Sequence, residues 1–165
     1  MLYIVVSIII LFFGIGAWRG APYLPILDKQ GESLLDFSEI KKGQRLIDLG
    51  SGDGKLLKLA AKRGVSSVGY EINPLLYVVS KIYTYKYRNL ITIHLADFWF
   101  VELPETDLIT VFLIDRYMER LDNKLSKQLT SPTKLVSYVY SIPNKIPDKT
   151  NKNSYLYNYK NSGNS

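Results

Sequence analysis

The sequence predicts an α/β fold: a Rossmann-like, doubly wound, mostly parallel sheet with helices on both faces, preceded by one N-terminal transmembrane helix. Three observations carry this expectation. Strand-length apolar runs alternate with segments of helical period from residue 45 to residue 142, the pattern of strands joined by crossover helices. The first of these strands runs into a turn with glycine at every second position, "LIDLGSGDGK". Residues 2–18, "LYIVVSIIILFFGIGAW", carry no charged side chain at all.

The N-terminal run is apolar all round, with Ser7 as its one conventional polar residue. At a helical rise of ~1.5 Å per residue it covers ~25 Å, the short end of a bilayer span. Trp18 and Arg19 then supply an interfacial aromatic and a positive stop. A cleaved signal peptide fits less well, because no positive n-region precedes the run and no small-x-small cleavage site follows it. All lysines and arginines lie after the segment, so the positive-inside rule places the remainder on the cytoplasmic side of a single-pass membrane protein.

"GAPYLPILDKQ", residues 20–30, reads as an extended linker because of its two prolines. Residues 32–40 place Leu34, Leu35, Phe37 and Ile40 at helical spacing before Lys41, Lys42 and Gly43. Strand one is expected over 45–49, a helix over 55–62 ending at Gly64, and strand two over 67–71. Asn73 as cap and Pro74 at the first turn start the next helix, which continues toward Tyr87 through Leu75, Leu76, Val78, Val79 and Ile82. Strand three follows over 90–95. "DLITVFLI", residues 107–114, is a continuous apolar run of the kind found in central parallel strands. A helix is expected over 116–129 and a fifth strand over 134–142. After Pro143 the chain is rich in Asn and Lys, with "SYLYNYK" offering one further strand.

Composition narrows the chemistry. A chain of 165 residues suits one domain. It has no cysteine, which removes disulfides, zinc-thiolate sites and cysteine nucleophiles. Its one histidine, His94, argues against a His-based metal site or a Ser-His-Asp triad; it sits in a strand-like run and reads as partly buried. No metal is expected. The net charge of +6 is concentrated late, with seven lysines against Asp122 and Asp148 from Leu121 onward. This is a solubilising surface, or one attracted to anionic lipid. Nucleic acid is not an expected partner, since no arginine-aromatic motif accompanies the charge.

In such sheets ligands bind at the carboxyl ends of the strands, beside the first strand-to-helix loop. That loop is Gly50-Ser51-Gly52-Asp53-Gly54. Its spacing differs from the G-x-G-x-x-G of dinucleotide folds, and no phosphate-binding G-x-x-x-x-G-K-[ST] can be written through it. Asp48 and Asp53 argue the same way: each carboxylate 4 Å from a pyrophosphate charge would cost ~4 kcal/mol at an effective dielectric of 20. A ligand with cationic groups and no phosphate is favoured instead, and S-adenosylmethionine is such a ligand. Glu71, at the end of strand two, is placed to accept ribose hydroxyls. Asp97 follows strand three, placed for an adenine amino group, with Phe98 beside it for ring contact. Each acid alone would pass as a loop residue or a cap.

These motifs, "DLGSGDG", "GYEINP" and "ADFW", resemble those of the seven-strand-type S-adenosylmethionine-dependent methyltransferases over roughly residues 40–142. With "GAPYLP" and the N-terminal apolar segment, the chain looks most like the small membrane-anchored protein-lysine methyltransferases. Mitochondrial members of that family modify the ATP synthase c-subunit and the adenine nucleotide translocator. The resemblance implies cofactor contacts from Asp48, Gly50, Ser51, Gly52, Gly54, Glu71, Asp97 and Phe98, and an entrance formed by Pro22, Tyr23 and Pro25. It implies a protein substrate, embedded in the membrane that the N-terminal helix enters. Asp115, at the end of strand four, is the candidate for orienting the substrate amine, with Tyr117 second; Asp115 also fits as a helix cap.

The chain departs from the family at Ile26, where threonine is usual, in "LIDRYM" after strand four, and in a shortened C-terminal strand pair. A small-molecule or lipid methyltransferase and a non-catalytic S-adenosylmethionine-binding membrane protein therefore stand as alternatives. An adenine-amino methyltransferase would show Asn-Pro-Pro-aromatic after strand four, which "LIDRYM" lacks. The expected organisation is an anchor over 1–18, a linker and short helix over 19–40, the cofactor-binding domain over 41–143 and a tail over 144–165.

Overall fold

Apolar segments punctuated by glycine turns give eleven principal elements in the computed structural model, which describes residues 25–159. The helices are α1 (Asp28–Ser38), α2 (Lys55–Lys62), α3 (Pro74–Thr84) and α4 (Met118–Gln128). The strands are β1 (Arg45–Leu49), β2 (Ser66–Glu71), β3 (Ile91–Leu95), β4 (Leu108–Val111), β5 (Thr133–Tyr138), β6 (Lys149–Thr150) and β7 (Ser154–Tyr159). The expected transmembrane helix, residues 1–18, and the entrance residues Pro22 and Tyr23 lie outside the described residues. Among the described residues no helix is long and apolar enough to cross a membrane.

The strands form one sheet in the order β3-β2-β1-β4-β5-β7-β6. The first five are parallel; β7 runs antiparallel to both β5 and β6. The strand order reverses direction between β1 and β4, so a crevice opens outside their carboxyl ends. Side chains alternate across the sheet: Leu46 and Leu108 enter the core beneath α1 and α2, whereas Ile47 and Ile109 enter the core with Met118, Leu121 and Leu125 of α4. Burial on both faces explains why β4 reads as an apolar run interrupted only by Thr110.

The helix expected over 32–40 instead spans Asp28–Ser38, so residues 28–30 belong to a helix rather than to the linker. Two local facts explain the earlier start. The Gln30 side chain accepts the Leu27 N–H at 3.0 Å, supplying a partner for a donor at the helix start. Gly31 is buried within α1, and a Cβ there would stand 2.6 Å from Leu59 Cδ1. The glycine lets α1 lie close against α2.

Gly54 ends the loop after β1 and demands glycine for two reasons. Its φ is +78°, and an added Cβ would come within 3.0 Å of Thr84 Cγ2 and 3.1 Å of Ser80 Cβ on α3. Gly54→Val combines a left-handed β-branched residue with a steric conflict, each costing about 1–3 kcal/mol. A melting temperature lower by about 10 °C is expected, read by thermal unfolding followed by circular dichroism.

His94 is exposed rather than partly buried. It lies on β3, an edge strand, opposite Tyr70 in register, and stacks on that ring at 5.4 Å. At the C-terminus, residues 154–159 form β7 within the sheet. Tyr157 there is fully buried and accepts the Ile142 N–H through its hydroxyl oxygen at 2.8 Å.

Candidate active site

Parallel register places the polar groups of the site. Asp48 lies opposite Thr110 on one side and Gly69 on the other. Strand alternation turns the Asp48 and Thr110 side chains to the same face, and the Thr110 hydroxyl donates to Asp48 Oδ1 at 2.8 Å. Next along the chain, the Gly50 and Ser51 N–H groups both donate to the Tyr70 carbonyl, at 2.9 and 3.0 Å. The loop then turns so that the Gly52 N–H reaches Glu71 Oε2 at 2.7 Å. The other Glu71 oxygen accepts the Asn73 N–H at 2.8 Å. Asn73 in turn caps α3 by accepting from the Leu75 and Leu76 N–H groups, as its position before Pro74 predicts.

Glu71 thus ties the glycine loop to the cap of the next helix. Each carboxylate oxygen has a second acceptor direction, which leaves Glu71 able to accept hydrogen bonds from a ligand. Asp97 accepts the Trp99 N–H at 3.1 Å, capping the short turn Phe98–Phe100. Phe98 is buried, its ring 4.7 Å from that of Trp99. Asp53 accepts the Lys55 N–H at 3.0 Å, at the start of α2.

These residues surround a cavity of about 440 Å³ at the carboxyl ends of β1, β2, β4 and β5, a size typical of small-molecule sites. Asp48, Gly50, Ser51, Gly52, Glu71, Asp97 and Phe98 all line it. Gly54 does not; it shapes the loop from behind, against α3. Of the expected entrance, Pro25 lines the cavity, joined by Ile26 and Leu27. Four carboxylates line the wall, Asp48, Asp53, Glu71 and Asp97, and among the described residues no lysine or arginine does.

Burial raises the Asp48 pKa to about 7; the Thr110 hydrogen bond opposes the shift, and the neighbouring charges of Glu71 and Asp53 add to it. Burial also raises Glu71 above the ordinary carboxylate range, against the lowering effect of N–H groups from Asn73, Gly52 and Ile72. Ser51 has a buried hydroxyl with no hydrogen-bond partner among the described residues. Its oxygen stands 2.6 Å from where a Cβ on Gly69 would lie, so glycine at that strand position leaves room for the loop.

Asp115 and Tyr117 are not among the lining residues. Asp115 is exposed in the short turn Asp115–Tyr117, and no side-chain hydrogen bond caps α4. Tyr117 is half-buried, with its ring 6.1 Å from Trp99. The residues reaching the cavity from the carboxyl ends of β4 and β5 and just past them are Phe112, Leu113, Tyr138 and Val139. The Phe112 and Tyr138 rings lie 6.2 Å apart. Val139 has φ +78°, a strained conformation for a β-branched residue, held by its N–H donating to the Asn153 carbonyl at 2.8 Å. Sequence reasoning missed these four and Thr110. Only Thr110, a lone hydroxyl within the apolar run of β4, left a readable trace.

Residues 48–149 match the family described as the ANTKMT methyltransferase domain. The human lysine N-methyltransferase of the ATP synthase c-subunit is 29% identical over 77% of this chain and 55% of its own length. A protein-lysine N-methyltransferase of Saccharolobus islandicus is 30% identical over 73% of this chain and 78% of its own. The chain spans about half the length of the vertebrate relatives it matches. Among solved structures, an RNA methyltransferase from Salinibacter ruber in complex with S-adenosyl-L-homocysteine superposes with a TM-score of 0.78. It is 24% identical, with 83% of this chain and 94% of that one covered, and shares the fold. The family match takes in the end of β1 through the start of β6, the span that carries every carboxylate of the cavity, and the chain belongs to the ANTKMT methyltransferase domain family.

Proposed function

We propose that this protein is an S-adenosylmethionine-dependent methyltransferase that methylates lysine side chains of membrane proteins. In this reading it is held at the membrane by residues 1–18, with its catalytic domain on the cytoplasmic side. The observation that carries the reading is a cavity with four carboxylates and, among the described residues, no lysine or arginine, in a chain related to protein-lysine N-methyltransferases.

The residues present fit the cofactor. Its two positive centres suit Asp48 and Asp53, its ribose hydroxyls suit Glu71, and the adenine suits Asp97 and Phe98. When bound, S-adenosylmethionine supplies an electrophilic methyl group on sulfur. The chain's task is then to align a neutral amine, and alignment alone supplies much of the acceleration in such displacements. Ile26, Leu27, Phe112 and Val139 give the cavity apolar walls. Desolvation against such walls favours the uncharged amine of an incoming lysine, while the Phe112 and Tyr138 rings offer faces to its cationic form. Asp115, exposed on the turn two residues beyond Leu113, would act on the substrate from the rim.

The test is incubation of the full chain with membranes and S-adenosylmethionine labelled on its methyl group. Label on lysine of a protein band is expected. Label confined to lipid or small-molecule fractions would mean a different acceptor, and calorimetric binding of the cofactor without any transfer would mean a non-catalytic binding protein.

A further inference from the structure

Helix α3 is built inside out. Its inward face carries Leu76, Ser80 and Thr84, all buried, and the small side chains are there because the glycine loop presses against them at Gly54. Its outward face carries Leu75, Val78, Val79 and Ile82, exposed at 50%, 51%, 42% and 73%. These positions recur at intervals of three and four residues and form one continuous stripe. A soluble helix points such a stripe at its core, so this one requires a partner.

The surroundings of the stripe specify that partner by charge. Lys81 and Lys86 lie on the same stretch, exposed. Lys58 of α2 sits 3.6 Å over the Tyr83 ring, and Arg88 sits 4.7 Å over the Tyr85 ring. Tyr83 and Tyr85 are themselves exposed at the edge of the stripe. Between Glu71 and Asp97 the sequence contains no acidic residue. An apolar stripe edged by tyrosines, lysines and arginine is the composition of helices that lie in the interface of an anionic bilayer. A second copy of the chain meets the wrong sign, since two such rims would face each other with like charge.

We infer that the outer face of α3 seats on an anionic lipid surface, with Leu75, Val78, Val79 and Ile82 entering the headgroup boundary and Lys58, Lys81, Lys86 and Arg88 meeting the headgroups. Asn73 and Leu76, at the N-terminal end of the same helix, line the cavity. Seating α3 therefore holds the cavity close to the bilayer plane. The inference concerns residues 75–88 and does not depend on the N-terminal segment acting as an anchor.

The chain's lack of cysteine allows a site-specific test on the full protein. Ile82→Cys, labelled with an environment-sensitive fluorophore, is mixed with phosphatidylcholine vesicles containing phosphatidylserine and a spin-labelled lipid. Ser126→Cys, exposed on α4, serves as the comparison site. The expected result is a blue shift and loss of most emission at position 82, with neither at position 126. Adding Lys81→Glu and Lys86→Glu to the position-82 variant should abolish the quenching. Persistence of quenching after those charge reversals would overturn the assignment to anionic headgroups. A probe at position 82 that is unquenched would overturn the seating itself, even if flotation shows the chain on vesicles, which would leave the anchor reading intact. A probe already shielded without vesicles would overturn it too, because another part of this chain or a second copy would then cover the stripe.

Discussion

Glu71→Ala is expected to reduce S-adenosylmethionine affinity by at least about a hundredfold. Glu71 is buried and its two oxygens already hold the Gly52 and Asn73 N–H groups. Removing it costs the ligand a charged acceptor, worth about 1.5–3 kcal/mol per hydrogen bond. It also frees the glycine loop from the α3 cap, so the loop must be re-ordered on binding. Glu71→Gln keeps the volume but sets an NH2 group against one of those backbone donors, and should fall between the two. Isothermal titration with S-adenosylmethionine reads the affinities. Thermal unfolding without ligand separates loss of fold from loss of binding. Affinity in Glu71→Ala within a few-fold of the parent would remove Glu71 from the cofactor site.

The second large effect is on pH. Asp48 titrates at about 7 in the folded chain, chiefly because it is buried, against an ordinary value near ~3.9. Its folded-state value is raised, so the folded state binds the proton more tightly than the unfolded state. Stability without ligand should therefore be greatest in mild acid and decline as pH rises toward 7, levelling off above it. Glu71 is raised as well and adds to the same slope. Ligand binding runs the opposite way, because a cationic ligand needs the ionised carboxylate. With a competent fraction near one-tenth at pH 6 and nine-tenths at pH 8, apparent affinity should be about tenfold weaker at the lower pH. Asp48→Asn should flatten both profiles. A titration series across this range checks the sign directly; affinity that is independent of pH in the parent would show that Asp48 does not face the cationic part of the ligand.

The sites with the largest expected effects were also the most legible in the sequence. β1 and α2 fall at the expected residues, 45–49 and 55–62, because the glycine loop between them leaves the local backbone few alternatives. Glu71, Asp97 and Phe98 line the cavity because they stand at or just after the carboxyl ends of parallel strands, where the crevice of such a sheet opens. The start of α1 at Asp28 differs from the expected residue 32 because the two prolines mark residues 20–30 as a linker, whereas the packing of Gly31 against Leu59 depends on a residue far along the chain.

The sequence by itself determined the alternation of strands and helices, the loop hostile to phosphate, and the three acids that end successive segments. These are matters of local propensity and of charge, and they depend on near neighbours. Tertiary structure decided what depends on residues distant along the chain. Register brought Thr110 beside Asp48, and sheet order left His94 on an edge. The close approach of α3 to Gly54 selected Ser80 and Thr84 for the inner face and turned Leu75, Val78, Val79 and Ile82 outward. A helical period shows that a stripe exists but is silent on which side faces the core; that side is chosen by the shape of the surface against which the helix packs.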